Sequence, residues 1–127
     1  QGYESAARAR AGIGEAYFRM GELDKAGQYF GQAIEIYPRD ETLAFNVGEI
    51  YFNQGNADKA IEYFQMAIKI NGNWSKAYLK LGYAYLNKGE YRLALDSMKR
   101  FLELAPGDPQ SPAVQNLIPQ IEKLIKN

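Results

Sequence analysis

The sequence predicts an all-α chain, a solenoid of three helix-turn-helix repeats closed at its C-terminal end by one further helix. Three observations predict this fold class. Identical residue types recur at a constant offset of 34, apolar side chains recur at three- and four-residue steps, and glycines punctuate the chain at fixed places.

The repeat sets the register. Three segments overlay, at 7–40, 41–74 and 75–108. Gly14, Gly48 and Gly82 stand eighth in each unit, and Tyr17, Tyr51 and Tyr85 stand eleventh. Gly21, Gly55 and Gly89 stand fifteenth, and Ala26, Ala60 and Ala94 twentieth. Position 24 is looser, with Phe30, Phe64 and Met98, as is position 27, with Ala33, Ala67 and Phe101.

Each unit carries two amphipathic stretches separated by a glycine. In the second unit these are 43–53 and 57–70, and Ile61, Phe64 and Ile68 of the latter mark one helix face. Gly55 lies just past the first stretch, where a left-handed residue ends a helix with least strain. Pro38 and Pro106 follow the second helices of their units and are expected to stop them; Gly72 replaces proline in the middle unit. Small residues at positions 8 and 20 allow the paired helices to approach closely. A lone pair leaves its apolar face wet, whereas a stack of pairs buries it.

Past Asp108 the register ends. Ser111 and Pro112 read as an N-cap followed by proline at the first helical position. Val114, Leu117, Ile118, Ile121 and Ile125 form one stripe, so a helix over about 110–126 is expected to cover the open end of the last repeat. Pro119 is expected to kink or split it. The other reading of the stripe is a surface for a partner.

These residues resemble the tetratricopeptide repeat family, whose 34-residue pattern runs L-G-x-x-Y, then A-x-x-x-F, then P. Leu81-Gly82-Tyr83-Ala84-Tyr85, Gly89, Ala94, Met98 and Pro106 carry the match in the third unit. Ile13-Gly14, Tyr17, Ala26, Phe30 and Pro38 carry it in the first, and Val47-Gly48, Tyr51, Ala60 and Phe64 in the second. The chain departs at the family's position-4 tryptophan, which is Arg10, Ala44 and Tyr78 here.

The resemblance implies a single right-handed solenoid domain spanning 1–127 that binds a protein or peptide in a concave groove, in a scaffold or assembly role. First helices line that groove in the family, and matched positions carry over to Glu15, Phe18 and Arg19 in the first repeat. The second supplies Phe45, Asn46, Glu49, Phe52 and Asn53, and the third Lys76, Leu79, Lys80, Tyr83 and Asn87. Phe45, Phe52, Leu79 and Tyr83 read either as an apolar strip for a ligand or as packing between repeats. Asn46, Asn53 and Asn87 add amide donors and acceptors suited to a peptide backbone. Glu15 and Glu49 toward one end and Lys76 and Lys80 toward the other predict that a ligand carboxylate sits near the lysines, unless Glu49 and Lys80 screen each other. One subclass of the family clamps chaperone carboxylates. Asn46, Lys76 and Lys80 match three of its five positions, but Ala11 and Glu15 replace its Lys and Asn, and an acidic Glu15 repels the carboxylate.

Composition narrows the alternatives. Fifteen basic and fifteen acidic side chains cancel, which argues against nucleic-acid and anionic-membrane partners. That balance leaves single-stranded RNA binding as a lesser alternative, through groove aromatics. The absence of cysteine and histidine removes disulfides, thiol and imidazole catalysis and the usual zinc sites. No catalytic residue, metal or cofactor is expected; Glu15 with Glu49 is the one carboxylate pair compatible with hydrolysis. Gly12, Gly27 and Gly31 interrupt the helices of the first repeat, and Gly27 with Gly31 suggests a close approach by a preceding repeat or by a second copy of the chain. Self-association through repeat 1 is therefore an alternative role. The chain starts at Gln1 instead of Met, which predicts a processed or excised piece.

Overall fold

Glycine at two places per repeat decides how the helices form and how closely they pair. The computed structural model describes residues 2–126, and among these there are seven helices. They are α1 (Gly2–Arg19), α2 (Leu23–Ile36), α3 (Glu41–Asn53), α4 (Ala57–Ile70), α5 (Ser75–Lys88), α6 (Tyr91–Leu104) and α7 (Ser111–Lys126). α1 starts five residues ahead of the first 34-residue unit, so the repeat pattern under-reads its length.

Gly21, Gly55 and Gly89 end the first helices with φ of 80°, 80° and 85°. At each, the amide after the glycine donates back to the carbonyl of the repeated tyrosine: Glu22 to Tyr17, Asn56 to Tyr51 and Glu90 to Tyr85, all at 2.9 Å. The left-handed glycine thus satisfies carbonyls that the helix end would leave open. Asp40 and Asn56 start α3 and α4, their side-chain oxygens accepting from Leu43 N at 2.9 Å and Lys59 N at 3.1 Å.

The second helices end at equivalent places, Ile36, Ile70 and Leu104, although the middle one has Gly72 where proline was expected. Proline is therefore not what stops them. All three give way to a non-helical residue, Tyr37, Asn71 or Ala105, with φ between −133° and −139°. Asn71 Oδ1 then accepts from Asn73 N at 3.2 Å, a side-chain turn that serves where proline is missing.

Pairing depends on the other glycines. A Cβ built on Gly48 would lie 2.7 Å from Phe64 Cδ1, and one on Gly82 would lie 2.9 Å from Met98 Cγ. On Gly14 it would lie 3.0 Å from Phe30 Cδ1. The residue at position 24 therefore occupies the space a side chain at position 8 would need. α1 packs on α2, α3 on α4 and α5 on α6, while α4 also packs along α5 and α6 along α7. The core follows this order. Phe64, Ala60 and Ala44 meet Ala77, Leu81 and Tyr85 of the next repeat, while Phe30 and Ile34 meet Val47 and Tyr63.

α7 caps the stack as expected. Its Val114 and Ile121, each 1% exposed, pack with Leu79, Met98 and Phe101. Two details differ from expectation. The Gln110 carbonyl accepts from Val114 N at 3.1 Å, which puts Gln110, not Ser111, at the N-cap. Ser111 is buried, and its hydroxyl donates to the Ala105 carbonyl at 2.7 Å, tying α7 to the end of α6. The helix also runs unbroken through Pro119, which is exposed on its outer side. No helix among the described residues is long and apolar enough to cross a membrane.

Gly48→Ala is expected to destabilise the fold by about 1–3 kcal/mol, because the fully buried Phe64 has nowhere to move. Gly12→Ala meets no atom within 4 Å and should stabilise by about 0.5–1 kcal/mol. Urea titration of both variants checks the opposite signs. Deleting 110–127 uncovers Leu79, Met98 and Phe101 and should lower the melting temperature by roughly 10 °C or more. An unchanged melt would mean that the α7 stripe is not a cap.

Candidate functional site

The candidate site is the face presented by α1, α3 and α5. α3 and α5 lie side by side, bridged by Lys80 Nζ and Glu49 Oε2 at 3.2 Å, with both side chains half-buried. On α1, Glu15 and Arg19 are one turn apart and pair at 2.5 Å. The expected gradient of charge along this face is thus largely neutralised within it. Lys76 remains exposed, and its ammonium lies over the Phe45 ring, 5.4 Å from the centroid.

The structure separates the thirteen candidate residues into three groups. Glu15, Phe18, Arg19, Asn46, Asn53, Lys76 and Asn87 are exposed, and Glu49, Phe52, Lys80 and Tyr83 are half-buried. Phe45 and Leu79, at 3% and 1% exposure, belong to the core. Their assignment to an apolar ligand strip is corrected to packing between repeats. The cause is the chain that follows each of them. Trp74, in the connection before α5, lies 4.7 Å from the Phe45 ring, and Phe64 lies 5.5 Å from it. Leu79 packs in the cluster that Val114 and Ile121 of α7 complete.

Two of the interrupting glycines of the first repeat, Gly27 and Gly31, lie against the second repeat, whereas Gly12 meets nothing within 4 Å. A Cβ on Gly27 would overlap the Tyr51 hydroxyl, and one on Gly31 would lie 3.7 Å from the Tyr63 hydroxyl. The second repeat is thus the neighbour that fills the space beside Gly27. Tyr51 and Tyr63 stack with ring centroids 5.7 Å apart and 8° between planes. Burial raises the pKa of both phenols; Glu62 and Asp24 add to the effect at Tyr51, and Tyr51 and Glu62 at Tyr63. In the next junction the equivalent Tyr85 hydroxyl meets Gln65 Nε2 at 2.7 Å.

Chemically, the face offers exposed amides and paired charges. Glu15 and Glu49 each face a cation, an arrangement that neutralises them in place. No group of three or more acidic side chains gathers closely enough to hold a metal ion among the described residues. At the stack's edge, Lys88 pairs with Asp58 at 2.8 Å; that hydrogen bond, then the Asp58 charge, raises the Lys88 pKa.

Sequence reasoning missed a second concave feature. A depression of about 610 Å³ lies on the α4 side, lined by Pro38, Glu62, Gln65, Met66, Lys69 and Ile70. No periodic signal marks it, because its lining joins Pro38 from the end of one repeat to α4 residues of the next.

Stacked antiparallel helix pairs in fixed register, with first helices on one face and a terminal cap, define a helical-repeat protein. Tetratricopeptide repeat family models match residues 2–41, 13–73 and 75–108, and the chain belongs to that family. No protein of curated function matches it by sequence. Among solved structures, it is similar to the N-terminal domain of stress-induced protein-1 from C. elegans (TM-score 0.79, 21% identity, 98% of each chain covered). It is also similar to the first repeat domain of Spaghetti (RPAP3) bound to an HSP90 peptide (TM-score 0.76, 22% identity, 98% of this chain and 96% of that one). MamA is similar at TM-score 0.71 and 29% identity, over 81% of this chain and 60% of that one.

Phe45→Ala is expected to cost about 3–5 kcal/mol of stability, whereas Asn46→Ala, its exposed neighbour, should stay within about 0.5 kcal/mol. Equal costs in thermal or urea unfolding would contradict the division between core and face.

Proposed function

We propose that this chain is a protein-interaction module that takes an extended segment of a partner protein along the face of α1, α3 and α5, within a larger assembly. The observation that carries the reading is the row of exposed amides. Asn53 and Asn87 hold the same place in successive repeats, and Asn46 adds a third amide on α3. An amide presents both donor and acceptor, so the row suits a peptide backbone whatever its side chains. Phe18 and the half-buried Phe52 and Tyr83 supply partly accessible apolar surface beside it. Two domains of this fold support a peptide as the ligand class: the first RPAP3 domain above, with the HSP90 peptide SRMEEVD, and the second human RPAP3 domain, in complex with the HSP70 peptide SGPTIEEVD.

The charge pairing points to a ligand without a dominant carboxylate. Lys80 is held by Glu49, and Glu15, paired to Arg19, sits where the carboxylate clamp needs an amide. Lys76 is the cation on this face most open to a ligand acid.

Affinity capture with the wild-type chain and with an Asn46→Ala, Asn53→Ala, Lys76→Glu variant tests this. All three positions are exposed, so the variant should melt within a few degrees of wild type while retaining at least about tenfold less of the captured partner, equivalent to about 1.4 kcal/mol. Equal retention by both proteins would remove the face from the binding reaction. In calorimetry, SRMEEVD should bind the wild type weakly and gain affinity on Ala11→Lys with Glu15→Asn.

A further inference from the structure

The three repeats solve one local packing problem in different ways, and the middle repeat leaves it open. In each, the residue at position 4 of the first helix faces the residue at position 26 of the second. In the first repeat Arg10 Nη1 donates to Gln32 Oε1 at 2.6 Å. In the third, the Tyr78 ring lies beneath the Arg100 guanidinium, 5.8 Å from centroid to carbon, and its hydroxyl donates to the Gly72 carbonyl at 3.0 Å. In the second the pair is Ala44 and Met66, and a methyl group cannot span the distance that Arg10 and Tyr78 span.

The depression of about 610 Å³ adjoins this pair: Met66 lines it, whereas Ala44, 1% exposed, is not part of its lining. Shifting its lining by one repeat turns Pro38 into Gly72 and Met66 into Arg100, the two residues that Tyr78 touches. Met66 and Ile70 give it an apolar floor, with Glu62 and Lys69 at its rim. Methionine is a flexible, polarisable partner for an aromatic ring.

We propose that this depression is a binding site for a tyrosine side chain presented by a partner protein, its ring over Met66 and its hydroxyl donating to the Pro38 carbonyl as Tyr78 donates to Gly72. The site is separate from the face of α1, α3 and α5 and stands independently of the role proposed for that face. The occupant is defined by the chain itself, because the third repeat holds a phenol in the equivalent position.

N-acetyl-tyrosinamide titrated into the full chain, followed by NMR of the methionine methyls and backbone amides, tests the assignment. Saturable shifts are expected at Met66, Ile70 and the amide of Arg39, with half-saturation at roughly millimolar concentration, as befits a small ligand. N-acetyl-alaninamide should leave them unmoved. Ala44→Tyr should fill the site from within and abolish the shifts. Tyr78→Ala serves as the reciprocal variant. It removes a half-buried ring and its hydrogen bond to the Gly72 carbonyl, and should add a second saturable site around Arg100. Absence of saturable shifts at Met66 in the wild type, or failure of Tyr78→Ala to gain the second site, overturns the proposal. Equal response to the alanine probe overturns it as well.

Discussion

The contact between a glycine on the first helix of each pair and the side chain at position 24 of the second sets everything else in this molecule. Phe64 lies so close to Gly48 that any side chain there must displace a fully buried ring. Close approach at that point brings Ala26, Ala60 and Ala94 into the helix-helix seam, where each is buried almost completely. With the pairs closed, the outer flank of each second helix becomes a surface on which the following repeat or cap can sit. α5 uses it on α4, and α7 uses it on α6. The exposed face of first helices is what remains once those flanks are consumed.

Most of this architecture is legible in the sequence because it is local and periodic. The 34-residue offset locates the helix breaks, since a left-handed glycine and the tyrosine carbonyl it helps satisfy are five residues apart or fewer. The stripe of α7 is equally plain. What the pattern does not show is which first-helix positions survive as surface. Phe45 and Leu79 occupy places that face a ligand elsewhere in the family, yet both are covered here, one by Trp74 and the other by α7. Burial at those places is decided by a segment some 30 residues further along the chain, so no local periodicity reports it.

The first repeat depends on distant segments in the same way. Gly27 and Gly31 look like gaps awaiting a foreign helix when only their own helix is considered. Their partners, Tyr51 and Tyr63, lie on the two helices of the next repeat. The charges show the same effect. Of the two sequence readings of Glu49 and Lys80, a gradient or mutual screening, the side-by-side placement of α3 and α5 favours screening.

The two seams of the stack are consequently built from different materials. α4 and α5 touch along their backbones, with alanines between them, whereas α2 and α3 meet sparsely and are held apart by the stacked phenols of Tyr51 and Tyr63. Phe30 and Ile34 of α2 pack with Val47 and Tyr63 in the same seam, so side chains close it where backbones do not. The first pair therefore meets the rest of the stack through side chains, while the other two pairs and their cap share closer backbone contact.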